Sequence, residues 1–161
     1  MLNRLKKINF IIIPFLIFCL DFSSKFLVIN YFDLASKGRV YLTPFLDFIL
    51  VMNSGISYGL FSGGGNFQRW LLVIVSILII LYLYYWAKNS KSNLIKFSLY
   101  IMVGGALGNV FDRIVYGEVI DFISLHVFNY YWYVFNIADV AIVLSGLLIL
   151  IFLTRDSFKK S

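Results

Sequence analysis

One cysteine and one histidine in 161 residues leave few ways to build a disulfide scaffold or a metal centre. Cys19 sits inside an apolar run, so an intrachain disulfide and any Cys-cluster metal site are excluded. His126 stands alone, so a histidine-based zinc site is not expected, and the residue reads as part of a loop or interface. No Ser/His pairing and no glycine-rich phosphate loop is in view. Charge is scarce as well, at 14% of residues, whereas 61% are hydrophobic and mean hydropathy is +0.87. That balance excludes an ordinary soluble domain and points to one polytopic membrane bundle. The net charge of +6 lies in short basic clusters between apolar runs, so the clusters act as topology signals and nucleic acid is not an expected partner.

What is present is four apolar runs, at about 9–32, 68–87, 97–113 and 134–153, each close to the ~20 residues that span a bilayer. Arg4, Lys6 and Lys7 precede the first. Bulky Phe18 before Cys19 and the lack of a small-x-small site argue for an uncleaved helix, with Pro14 as a mild kink. Asp21 and Lys25, four apart, share its face. Between the first two runs, about 38–62 is rich in β-branched and aromatic residues and broken by Pro44 and Asp47. It reads as a small sheet on the membrane surface, closed by a turn at Gly63–Asn66. Asn53, taken alone, is a plain turn residue. Gly104 and Gly108 form a small-xxx-small face in the third run, followed by Asn109, Asp112 and Arg113 on its last turn.

The two termini and the Lys88–Lys96 loop hold nine of the 14 basic residues and only Asp156 among the acids. Both termini are therefore expected in the cytoplasm, with the sheet and the loop carrying Asp121 outside. Asp21, Lys25, Asn53, Asn109, Asp112, Arg113, Asn136 and Asp139 then all fall toward one membrane face. Carboxylates at such depth usually serve a function. The stretch Glu118–Asp139 ends in the most informative of them: Asp121 and Asp139 bracket an aromatic segment. Two carboxyls held close share a proton and supply an acid and a base together. Two other classes stay open on these residues alone. One is a small proton- or ion-coupled transporter, although no internal repeat is visible; the other is a membrane subunit whose charges only pair helices.

Five ordered motifs narrow this: Asp21-Phe-Ser-Ser-Lys25, Asn53-Ser-Gly55-Ile-Ser-Tyr-Gly59, Gly104-Gly-Ala-Leu-Gly-Asn109-Val-Phe-Asp112-Arg113, Val119-Ile-Asp121-Phe122 and Phe135-Asn136-Ile-Ala138-Asp139. Across nearly the whole chain they resemble the signal peptidase II family, the lipoprotein signal peptidases. The resemblance implies a four-helix transmembrane bundle with an external β-cradle and a mobile external segment between helices three and four. It also implies a monomeric inner-membrane aspartic endopeptidase without metal or cofactor. Its substrates would be diacylglyceryl prolipoproteins, cut just before the lipidated cysteine, in contact with membrane lipids; globomycin-type peptides would inhibit it. Asp121 and Asp139 match the catalytic aspartates. Asn53, Gly55, Asn109, Arg113, Asn136 and Ala138 match substrate-site residues, and Asp21 and Lys25 a supporting position. Asp112 is a rival carboxylate, assigned a supporting role paired with Arg113 or capping the helix end. Ile56-Ser57, where many members have two alanines, and the Tyr-rich segment Phe128–Tyr133 depart from the family pattern.

Overall fold

The computed structural model describes residues 10–55, 65–128 and 130–160. Expectations attached to Arg4, Lys6 and Lys7, to positions 56–62 with Ile56 and Ser57, and to Gly63 and Gly64 lie outside them. In chain order the elements are α1 (Ile12–Asn30), single-turn α2 (Leu34–Lys37), β1 (Arg39–Thr43), β2 (Leu46–Asn53), α3 (Gly65–Asn89) and α4 (Asn93–Val115). They are followed by β3 (Val119–Val127), β4 (Tyr130–Tyr131) and α5 (Ile137–Lys160). Among the described residues four helices are long and apolar enough to cross a membrane: α1, α3, α4 and α5 as far as Arg155. The shortest, 19 residues, measures about 28 Å at 1.5 Å per residue, close to the hydrocarbon thickness.

The ends of these helices follow local chemistry more than hydropathy. α4 starts at Asn93, ahead of its apolar run, because the Ser92 side chain caps it by accepting the Ile95 N–H. α3 takes in Gly65 and Asn66, where a turn was expected. Pro14 falls in the first turn of α1, where its missing N–H costs no helical bond, so no kink is required of it.

α4 is the hub. α1, α3 and α5 all pack on it, and half of its span is buried, against roughly a fifth of each of the other three. Large apolar side chains on those three, such as Phe15, Leu78 and Leu150, are exposed, as a lipid-facing surface requires. Glycines allow the approach. A Cβ on Gly104 would stand 2.7 Å from the Pro14 carbonyl oxygen of α1, and one on Gly105 would stand 2.6 Å from the Ala138 oxygen of α5. Gly108 faces Asp21 in the same way. Gly105→Ala should therefore force α4 and α5 apart and lower stability by about 1–3 kcal/mol, as overpacking does. Thermal unfolding in detergent checks this, with Leu107→Ala on the exposed side as the variant expected to change little.

At one end of the bundle lies a four-stranded antiparallel sheet in the order β1-β2-β3-β4. The strand-like reading of 38–62 captured β1 and β2; β3 was taken for a loop and is the longest strand. Its alternation sends Phe122 into a cluster with Val28, Leu34, Phe32 and Phe48, and Asp121 to the opposite face. After β4 the chain returns along β3. The Phe135 oxygen accepts the N–H groups of Phe122 and Ile123, and the Phe135 N–H donates to the Ile123 oxygen. This holds residue 136 beside Asp121.

Candidate active site

Asn136 is the N-cap of α5, and the cap is reciprocal. Its side-chain oxygen accepts the Asp139 N–H at 2.9 Å, while Asp139 Oδ2 accepts the Asn136 N–H at 3.3 Å. This is a capping box with aspartate in the third helical position. The Asn136 amide is left to donate, to Asp121 Oδ1 at 2.6 Å and to Asn109 Oδ1 at 3.2 Å. Asn109 donates in turn to Asp139 Oδ1 at 2.9 Å. Asn53, the last residue of β2, donates from Nδ2 to Asp121 Oδ2 at 2.9 Å. Three asparagines thus hold two carboxylates, and Asn136 bonds both, Asp121 through its side-chain amide and Asp139 through its backbone N–H. Burial and the neighbouring Asp139 charge raise Asp121 from an ordinary 3.8 to about 6, against the opposing bonds from Asn53 and Asn136 and the charge of Lys25.

Beneath this pair lies a second layer. Lys25 Nζ is 2.6 Å from Asp21 Oδ2 and 2.7 Å from Asp112 Oδ2, with all three groups buried. Asp21 Oδ1 accepts the Ala138 N–H at 2.9 Å, and Asp112 Oδ2 accepts the Ile120 N–H at 3.1 Å. The triad therefore ties α1, α4, α5 and β3 together directly behind the site. The expected partnership of Asp112 with Arg113 is corrected. Adjacent residues on a helix point in different directions, so Asp112 turns to α1 while Arg113 turns to the cavity. Arg113 Nη2 donates to the Gly55 oxygen at 2.7 Å and Nη1 to the Asn109 oxygen at 3.3 Å.

A cavity of about 690 Å³ opens between α3, α4 and α5. Asn53, Asn109, Arg113, Tyr133 and Asp139 stand at its polar end, and Leu72, Val75, Ile79, Leu83, Met102 and Leu144 line its apolar length. From Leu72 to Leu83 it runs about 16 Å along α3. Of the residues expected at the substrate, Asn53, Asn109 and Arg113 line this cavity. Asn136 and Ala138 have no exposed surface and Gly55 is buried, so these three hold the lining in place. The α3 face was not visible in the sequence, because a helix that is apolar all round marks no side as special. Arg69 was also missed; it secures the end of α4 by donating to the Arg113 and Ile114 oxygens at 2.7 and 2.6 Å.

Comparison with known proteins agrees on the class. The sequence model of the Signal peptidase (SPase) II family matches residues 13–155. A lipoprotein signal peptidase of Methylorubrum extorquens is 47% identical over 124 residues, 77% of this chain and 72% of that protein. One from Alteromonas mediterranea is 36% identical over 162 residues, 99% of this chain and 88% of that protein. A bacterial membrane enzyme solved by the in meso method at 2.3 Å superposes with a TM-score of 0.81 at 28% identity, covering 94% of this chain and 91% of that one. Fold and comparisons define an integral membrane protease, which sets the transporter and helix-pairing readings aside. The chain belongs to the signal peptidase II family.

Proposed function

We propose that the chain is an aspartic endopeptidase that removes signal peptides from diacylglyceryl prolipoproteins, cutting immediately before the lipidated cysteine. The observation that carries this is that Asp121 and Asp139 both bond Asn136, with Asp139 lining the polar end of an apolar groove and Asp121 buried behind it, bonded to the lining residue Asn53. One carboxyl of the pair keeps a proton; the other is ionised and draws a proton from water as it attacks the scissile carbonyl. The protonated member then supplies the proton that the product side needs. The pair titrates as a unit.

Asn53, Asn109 and Arg113 offer polar groups to an extended peptide, and the groove below accepts an acyl chain from the side, where α3 and α5 both face lipid. A globomycin-type peptide would occupy the same polar end. The distribution of basic residues supports an inner-membrane orientation with both termini cytoplasmic and the sheet, with the mouth of the groove, on the outer face. The enzyme works as a monomer, since the groove and the pair are complete within one chain.

The test is reconstitution in lipid with a prolipoprotein in diacylglyceryl and unmodified forms. Bilayer and groove are both apolar, so the acyl chain gains little from transfer; its use is to hold the peptide in register. The unmodified form should be cut with kcat/KM lower by roughly a hundredfold or more. Equal cleavage of both forms would remove the lipid from the account.

A further inference from the structure

Tyr133 lies on the return from β4 to α5, and the chain fixes it from both sides. The Trp132 N–H donates to the Leu125 oxygen at 2.7 Å, and the Phe135 N–H donates to the Ile123 oxygen at 3.0 Å. Between these two anchors on β3 its ring lines the groove beside Asp139 and Arg113. Its phenol oxygen accepts a hydrogen bond from Asn53 Nδ2 at 2.9 Å, and the same nitrogen donates to Asp121 Oδ2 at 2.9 Å. An amide nitrogen has two hydrogens, and here each has its own acceptor. The Asn53 Oδ1 accepts the Gly55 N–H at 3.0 Å, which sets which end of the amide faces the site, and the phenol oxygen takes the hydrogen that Asp121 does not.

On the dyad reading above, we propose that Tyr133 is a positioning residue for the reaction: its phenol fixes the Asn53 amide on Asp121, so the segment that walls the groove also sets the hydrogen bonding of the acid–base pair. Burial and the charges of Asp121 and Asp139 push the phenol up to about 12, with a hydrogen bond to Asp121 acting in the same direction. It therefore stays protonated at working pH and serves as a donor, never as a base. The charged groups that act on the phenol are Asp121 on β3, Asp139 on α5 and Arg113 on α4, and those that act on Asp121 are Asp139 and Lys25 on α1.

The sign of the pH effect follows. The singly protonated pair is lost as pH rises through the raised Asp121 value of about 6, so kcat/KM should decline above that pH. Both the phenol and the correctly aimed amide favour ionised Asp121. Their loss should move this decline to higher pH.

The experiment compares wild type, Tyr133→Phe and Tyr133→Ala on a lipidated prolipoprotein across pH. Tyr133→Phe keeps the ring and removes one oxygen. It should lower kcat about tenfold, the effect of one lost hydrogen bond to a charged network, with KM within about twofold. Its kcat/KM decline should lie at higher pH than in wild type. In an Asn53→Ala background the same substitution should lower kcat by clearly less than in wild type, because the amide is gone and only the direct bond of the phenol to Asp121 remains to be lost. Wild-type kcat and an unmoved pH profile in Tyr133→Phe would overturn the proposal. So would a change confined to KM, or damage seen only in Tyr133→Ala, since either makes the ring a mere wall. If instead Asp121→Asn cleaves normally, the dyad reading fails and takes this one with it.

Discussion

Asp121→Asn and Asp139→Asn should each cut turnover of a lipidated prolipoprotein by roughly 10³- to 10⁴-fold and leave the protein folded in the bilayer. Asparagine keeps the shape of either side chain and removes its capacity to hold or accept a proton. Each carboxylate accepts on both oxygens, Asp121 from Asn53 and Asn136 and Asp139 from Asn109 and the Asn136 backbone. Asparagine keeps one of these bonds and sets an NH2 against the other donor, a loss of about 1–3 kcal/mol that the fold should survive. The comparison that discriminates is Asp112→Asn. Its carboxylate faces Lys25 and the Ile120 N–H rather than the cavity, so the loss there should appear in the unfolding temperature before it appears in kcat. Normal turnover by either dyad variant at matched expression would end the aspartic assignment.

The second large effect is on stability. Lys25→Met should destabilise the protein by about 3–5 kcal/mol, because it leaves Asp21 and Asp112 buried with no counter-charge. Those two carboxylates carry the backbone of α5 and β3 through Ala138 and Ile120, so the loss should spread from the triad into the geometry of the dyad. Removing one of the stranded charges should restore part of the stability: Lys25→Met with Asp112→Asn should unfold at a higher temperature than Lys25→Met alone. Thermal unfolding in one detergent across the set measures this. Equal midpoints for Lys25→Met and wild type would mean that the triad contributes nothing.

How much of this was open to reading depended on the length scale of each interaction. Four long apolar runs announce four helices, and Asp121 and Asp139 stand out because charge is so rare near the ends of those runs. The Asp21–Lys25 pair was legible because it is local, with partners one helical turn apart. The third member, Asp112, was not, because its partner lies 87 positions away and the nearer candidate, Arg113, points elsewhere on the helix. β3 was hidden for a related reason. Val119–Ile123 has strand-forming residues, but a carboxylate in their midst resembles a loop until Asn53 and Asn136 are seen to receive it. Periodicity was of no help with the groove, since its walls belong to helices that face lipid on their other sides.

The bond from Ala138 to Asp21 joins residues 117 positions apart, and its consequence concerns the order of manufacture. During insertion α1 enters first and holds only its own Asp21–Lys25 pair. Asp112 reaches it with α4, and the partner for the remaining Asp21 oxygen arrives only with α5. Asp139 is on that same last helix, in the turn whose cap also orients Asp121. On the dyad proposed above, the two carboxyls can be brought together only after α5 has joined α1 and α4, so acid–base competence would follow the placing of that helix.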